Sequence, residues 1–495
     1  MMFLKNRFTI LLLALFLATS FSACKKDWNA HDNVIDPNLA NNLYQAISKT
    51  SNLSKFSAMM VKTGYDKVVS SSQTYTVWAP TDAALANLDA SITSDTAKLK
   101  LFVANHIATQ VYLSGTATGD QRIKMLNSKF ITMSGMKFDS ANIVTANQYT
   151  NNGIYHVIDK YILRYDNCWE FLKNNSVTPV MKAFLLSQNH NVFNPAIAKQ
   201  IGVDPTTGLP VYDSSTGYVV RNYFLDSVMN LNDETNQYTF VVLADNSFIT
   251  ELNKLTPYFK TSTPDSTISL SSSFLVRDLA FKGLYTPAQL PDTMVSQYGV
   301  KVPLNKSAIV ASYKTSNGII YVMNQVNFTL KYKFPSVYIQ GEKPYGFTAD
   351  RSSNTYYRVR NNPVTGLNFN DILITNYNVA NYIINYYAGY LNSMRYNAYW
   401  VAVNDLQSTP LWTQQLKGAY FSRDSANTHF YNVPVSDTLA TVTIAYNNFN
   451  EVYLGQFTYS NYGPHYYWVY GPKTASSTGN NDAITLDYIR LEPAF

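Results

Sequence analysis

Only two cysteines, Cys24 and Cys168, occur in 495 residues. That is too few for a disulfide framework, so stability has to come from hydrophobic cores. Charge is also scarce. Asp, Glu, Lys and Arg make up 14% of the chain, the formal net charge is +6, and no basic run appears. Nucleic acid is not a natural partner for such a chain. The apolar run Thr9 to Ala18 is too short for a comfortable membrane span, and no later run reaches that length. Catalytic motifs are missing as well: there is no HExxH, no GxSxG, no Walker loop and no GxGxxG before a helix. The histidines, His31, His106, His156, His190, His429 and His465, fall in no metal-ligand spacing. A glycosidase carboxylate pair stays open, since such pairs meet only in the fold, but nothing points to one. The chain is expected to be no enzyme and to carry no cofactor.

What is present begins with a secretory signal, Met1 to Ala23, with Lys5 and Arg7 in its positive n-region. It ends in Phe21-Ser22-Ala23-Cys24, which resembles the bacterial lipobox. The resemblance implies cleavage before Cys24 and lipidation of that residue, the only membrane attachment expected. Lys25 follows, so the Asp linked to inner-membrane retention is absent, and an outer-membrane, surface-facing location is expected. With Cys24 acylated, Cys168 has no partner for an intramolecular disulfide. Residues 24–36 read as a polar tether.

Tyr75-Thr76-Val77-Trp78-Ala79-Pro80-Thr81-Asp82-Ala83-Ala84-Leu85 reads as a short strand entering a turn, with Thr81 or Asp82 placed to cap the helix that follows. Downstream stands Asn152-Gly153-Ile154-Tyr155-His156-Val157-Ile158-Asp159-Lys160-Tyr161-Ile162-Leu163. The two stretches resemble the two conserved boxes of the fasciclin (FAS1) domain, with Leu85 in place of the usual Phe. The pattern then repeats. Tyr238 to Phe248 aligns with the first box and Asn317 to Val326 with the second, at similar separation. The second copy is degenerate: Leu243-Ala244 replaces Pro-Thr, Tyr321 replaces His156, and Asp245 keeps the capping role. Residues 37–165 and 166–332 are therefore expected as two fasciclin-like domains of α+β type. Within the second, Leu209 to Tyr212, a Gly217-ended turn and Tyr218 to Val220 read as an inserted hairpin, a candidate domain contact. His106 matches the family's central histidine, which in animal relatives is associated with adhesion. Asn105 here replaces the accompanying Tyr and Asp278 stands at the His position of the second copy, so that role is not carried over. His106 and His156 are expected in the core.

Residues 333–495 change character. More than half of the chain's 39 tyrosines lie in this last third. Helical periodicity gives way to short alternating segments between Asn, Gly, Pro and Ser: Tyr356 to Arg360, Tyr382 to Tyr387, Ala398 to Val403, Thr441 to Tyr446, Val452 to Tyr459 and Ile484 to Leu491. These predict an antiparallel sandwich that folds alone. The ending Ile484 to Pro493 resembles the last strand of galactose-binding-like jelly rolls, the architecture of many carbohydrate-binding modules. Whether calcium props such a sandwich is beyond the sequence. Tyr466, Trp468 and Tyr470 share one strand face by period-two spacing, and Tyr467 faces the other way. If the first face is exposed it is a stacking platform for sugar rings, with Asn461 or Arg423 as polar contacts; if it is buried, Tyr467 and Tyr462 become the candidates.

The resulting expectation is a non-catalytic lipoprotein that captures polysaccharide at the outer membrane. Lipoproteins of this layout look like accessory proteins of glycan-capture systems. The rival is a structural or assembly module whose aromatic surface binds another envelope protein, since interface centres are also rich in Tyr and Trp.

Overall fold

A computed structural model of the chain describes residues 37–115, 119–406, 412–419, 435–471 and 482–495. The expected signal, Cys24 and Arg423 lie outside the described residues. The chain divides into two compact units. One runs to Phe171 and includes Leu231–Gln237 and Lys314–Gly318; the other comprises Leu172–Asn230, Tyr238–Tyr313 and Ile319–Phe495.

In the first unit the two boxes lie side by side. Strand Tyr75–Pro80 is buried along its whole length, which is why its residues do not alternate between apolar and polar. It runs parallel to Gly153–Ile158 and antiparallel to Ile107–Thr109. The seven-stranded sheet continues through Ala141–Thr150, Lys137–Phe138, Phe130–Ser134 and Gln121–Lys124. Leu43 and Ile47 from helix Leu43–Lys49, Phe56 and Met60 from Ser54–Thr63, and Leu99 and Phe102 from Thr96–Ala104 form a core with Val77. A second core gathers Trp78, Ile123, Met133, Phe138 and Ile143, with Trp78 stacked on Phe138 at 4.4 Å.

Capping in the first box is divided between two helices. Thr81 Oγ1 accepts the Ala84 N–H at 3.1 Å and starts a 3-10 turn, Ala84–Asn87. Asp82 instead serves an earlier helix. Its carboxylate accepts the Lys55 N–H at 2.8 Å and the Ser54 hydroxyl at 2.7 Å, in the first turn of Ser54–Thr63, where a negative charge suits the helix dipole. Asn152 ties the second box to the first helix: its side chain accepts the Leu43 N–H at 2.9 Å and donates to the carbonyls of Val69 and Ser71.

A second sheet repeats this centre, with Ala280–Lys282, Tyr238–Leu243, Gly318–Met323 and Ile309–Thr315 in the order of Ile107–Thr109, Tyr75–Pro80, Gly153–Ile158 and Ala141–Thr150. The side-chain bonds repeat too. Asp245 accepts the Val180 N–H at 3.0 Å and so serves helix Pro179–Ser187 rather than the helix it opens. Asn317 accepts the Cys168 N–H at 2.9 Å and donates to the carbonyls of Leu231 and Asp233. Asp278, at the His106 position, is fully buried and paired with the equally buried Lys333; the Ser296 hydroxyl also donates to it at 2.6 Å.

The insertion is longer than the expected hairpin. Gln200–Val203 pairs with Pro210–Tyr212, and Asn189–Phe193 pairs with Tyr218–Asn222, so the two expected arms pair outward and not with each other. Asp213 to Gly217 forms the corner between the two ribbons: the Asp213 N–H donates to the Lys199 carbonyl, and the Lys199 N–H donates to Thr216 Oγ1. None of residues 189–221 is buried.

The last third is an all-β antiparallel sandwich. One sheet orders Val337–Gln340, Tyr488–Ala494, Arg395–Val401 and Val452–Thr458; the other orders Gly346–Phe347, Tyr382–Leu391, Gly463–Gly471, Thr413–Ala419 and Val435–Thr443. A smaller sheet joins Thr355–Asn361, Asn368–Thr375 and Ala483–Leu486. The expected single final strand is thus two, broken at Asp487 and shared between sheets. Ile339, Tyr396, Trp400, Ile489 and Leu491 of the first sheet meet Ile384, Tyr386, Leu416, Tyr467 and Val469 of the second in one core.

This sandwich is joined to the residues that precede it. The Ser393 N–H donates to the Tyr258 carbonyl at 2.9 Å and the Tyr462 N–H to the Lys260 carbonyl at 2.7 Å. The rings of Tyr258, Phe259, Phe274, Phe334, Tyr462 and Phe495 form one cluster. The chain is therefore α+β, with two fasciclin-like domains followed by an antiparallel sandwich.

Candidate functional site

Alternation along Gly463–Gly471 decides which aromatics are available. Tyr467 and Val469 are fully buried, so Tyr466, Trp468 and Tyr470 point to the outer face of the five-stranded sheet, where all three are half-buried. Register supplies their neighbours. Trp468 stands between Asn385 and Lys417, Tyr470 between Ile383 and Gln415, and Tyr466 beside Tyr387. At about 3.4 Å per residue the row from Tyr466 to Tyr470 spans about 14 Å.

Further aromatics extend the row sideways. Tyr345, whose N–H donates to the Asn385 carbonyl at 2.7 Å, sets its ring 5.6 Å from Tyr466 and 6.1 Å from Tyr387, and the latter two are 4.9 Å apart. Tyr345 is 40% and Tyr387 41% exposed. Polar groups stand among these rings. The Tyr470 hydroxyl donates to Asn381 Oδ1. Lys417 Nζ lies 3.7 Å from the centre of the Tyr470 ring, and partial burial pulls its pKa below the usual lysine value. Asn385 is 5% exposed and its side-chain oxygen has no hydrogen-bond partner. Flat rings with amides, hydroxyls and a cation between them match a ligand with an apolar face and a polar rim.

The expected residues separate accordingly. Tyr466, Trp468 and Tyr470 come together on one face. Tyr467 is a correction: it is 0% exposed, its hydroxyl is bonded to that of Tyr459, and burial raises its pKa well above 10.0. Tyr462 is a second correction. Its ring packs 5.6 Å from Phe259, 5.9 Å from Phe274 and 5.4 Å from Tyr390, and so it serves the aromatic cluster beneath the sandwich. Asn461 is exposed but precedes the strand; it lines a polar pocket of about 290 Å³ with Asp437, Tyr459 and His465. Arg423 lies outside the described residues. The sequence reading missed Tyr345, Tyr387 and Lys417. Tyr387 was legible, since the strand beginning at Tyr382 alternates; Lys417 belongs to a strand with no aromatic signal.

The two histidines are packing residues. His106 is fully buried; its Nδ1–H donates to the Phe102 carbonyl at 2.9 Å while Nε2 accepts the Ile162 N–H at 3.1 Å. Burial lowers its pKa to about 4, so it is neutral. His156 stacks on Trp78 at 5.6 Å and spans the Asn147 N–H and the Tyr112 carbonyl. Cys168 is buried and free, its thiol pKa pushed up to about 12 by burial. Among the described residues no group of three or more His, Cys, Asp or Glu side chains could hold a metal ion, and no helix is long and apolar enough to cross a membrane.

The Fasciclin domain family model matches residues 51–164, which contain both boxes of the first unit. No curated protein matches the chain. Among solved structures, a FAS1 domain pair from the insect cell adhesion molecule Fasciclin I is 15% identical, covering 57% of this chain and 99% of its own, with a TM-score of 0.23. A family 35 carbohydrate binding module from Clostridium thermocellum is 13% identical over 32% of this chain and 100% of its own, with a TM-score of 0.20. The C-terminal CBM6 of LamC from Zobellia galactanivorans is 10% identical over 32% and 99%, with a TM-score of 0.20.

Proposed function

We propose that the chain is a non-catalytic lipoprotein, anchored through Cys24 at the outer membrane, that captures polysaccharide on the outer face of its five-stranded sheet. One observation carries the reading: Tyr345, Tyr387, Tyr466, Trp468 and Tyr470 occupy one contiguous, partly exposed face with Asn385, Gln415 and Lys417 between them. Stacking of one ring contributes on the order of 1 kcal/mol. Affinity electrophoresis of the full chain through gels containing single polysaccharides is the test. Retardation by at least one glycan that Trp468→Ala weakens and Trp468→Ala/Tyr466→Ala abolishes supports the reading. Unchanged retardation in the double variant removes the site from this face.

A second reading, docking to another envelope protein, is favoured by the insertion. Ile197, Ile201, Val203, Leu209 and Val220 there are each more than half exposed, and isolated two-stranded ribbons are marginal in water. Loss of a specific envelope-protein partner on deletion of residues 196–217, with glycan retardation unchanged, would give the ribbon that role.

A further inference from the structure

Lys417 brings a cation to this sheet face. Lys417 lies directly across from Trp468 and over the Tyr470 ring. No carboxylate among the described residues pairs with it, and partial burial lowers its pKa. Among the described residues, its cross-strand surroundings Ile383, Asn385, Tyr387, Gln415, Thr438, Tyr466 and Tyr470 are uncharged. A half-buried ammonium with no counter-ion has lost part of its hydration without regaining it as a charge pair. An anion arriving beside Tyr470 supplies that pair.

We infer that the ligand of this face is an anionic polysaccharide, whose carboxylate or sulfate group pairs with Lys417 while the sugar ring stacks on Trp468. The inference rests on the glycan reading above and narrows it. The anion and the stacking surface are one cross-strand step apart, so a single substituted sugar reaches both.

Isothermal titration of the full chain against two matched pairs tests this: a polyuronate with its carboxyl-reduced form, and a sulfated galactan with its desulfated form. Tighter binding of one anionic member by about tenfold, the factor expected from one partly screened charge pair, supports the inference and identifies which group is read. The preference should shrink as sodium chloride rises, because salt screens such a pair. Lys417→Met keeps the aliphatic stem over Tyr470 and should erase the preference; Lys417→Arg should retain most of it. Trp468→Ala should weaken both members of a pair. Equal binding of charged and neutral members by the wild type overturns the inference and leaves the glycan reading standing. Failure of every glycan to bind overturns both.

Discussion

Gly153 opens the second box at a point where two backbones nearly touch, and replacing it tests how that box is held. Its φ is +153°, and a Cβ there would lie 2.1 Å from the Tyr75 carbonyl oxygen, 2.8 Å from Leu43 Cδ1 and 3.0 Å from the Tyr75 nitrogen. Even a close C···O contact is about 3.3 Å, so Gly153→Ala forces the strands apart by more than an ångström. The nearest atom belongs to the backbone and cannot rotate away. Overpacking costs about 1–3 kcal/mol where side chains can relax. Here the Tyr75 N–H···O Asn152 bond, 3.3 Å long, and the Tyr75–Gly153 pairing are strained as well, at about 1 kcal/mol for each bond lost. The sum is about 3–5 kcal/mol. Gly135 is the control: its φ is +56° and nothing lies within 4 Å of the added Cβ, so Gly135→Ala costs only the left-handed strain of about 1–2 kcal/mol. Hydrogen exchange of the Tyr75–Pro80 amides, read by mass spectrometry, reports both within the full chain. Gly153→Ala should speed exchange by about a hundredfold or more and Gly135→Ala by about tenfold, since each 1.4 kcal/mol is a factor of ten. Rates for the two variants within a factor of three of each other would refute the close-approach argument.

Other outcomes follow from the same structure. Asp82→Ala should destabilise the first unit by about 1 kcal/mol and speed exchange first in Ser54–Thr63, the helix it caps, not in Ala84–Asn87. His106 has a folded pKa of about 4 against a usual 6.5. The unfolded chain therefore binds the proton first, and the stability this residue contributes is full above about pH 6.5 and fades as the pH falls toward 4. Between pH 7 and pH 5 the loss is about 2 kcal/mol, and His106→Gln, which keeps a donor and an acceptor, should remove that part of the pH dependence of denaturant melts. Cys24→Ser should abolish metabolic lipid labelling and release the chain from the membrane fraction; retention through high salt and carbonate would contradict the lipobox reading.

How much of this was legible in the sequence differs by region. The fasciclin-like centre was, because a strand buried along its whole length, such as Tyr75–Pro80, shows no apolar–polar alternation and because Asn152 and Asn317 recur with the same bonding task. Which helix Asp82 and Asp245 cap was not, since a carboxylate can reach a helix distant in sequence, and no local rule names Lys55 or Val180 as the donor. The ribbon was misread because the turn Asp213 to Gly217 looks like a hairpin tip, whereas the pairing of Gln200–Val203 with Pro210–Tyr212 depends on strands lacking alternation. In the sandwich, period-two spacing grouped Tyr466, Trp468 and Tyr470 but could not say which side faces the core; the opposite sheet decides that through Tyr396, Trp400 and Phe457. Tyr345, Tyr387 and Lys417 join the face only through cross-strand register, which no single stretch of sequence contains.

The central claim is that this outer face touches glycan, and hydroxyl-radical footprinting of the full chain at saturating polysaccharide tests it most directly. The account predicts that oxidation of Trp468, Tyr466, Tyr470, Tyr345 and Tyr387 falls together on binding, while the exposed Tyr356 and Tyr357, 48% and 58% accessible on a different sheet, remain unchanged. Protection confined to residues off this face, such as Asn461 and His465 at the polar pocket or the ribbon at 196–217, with these five rings oxidised as before, would contradict it.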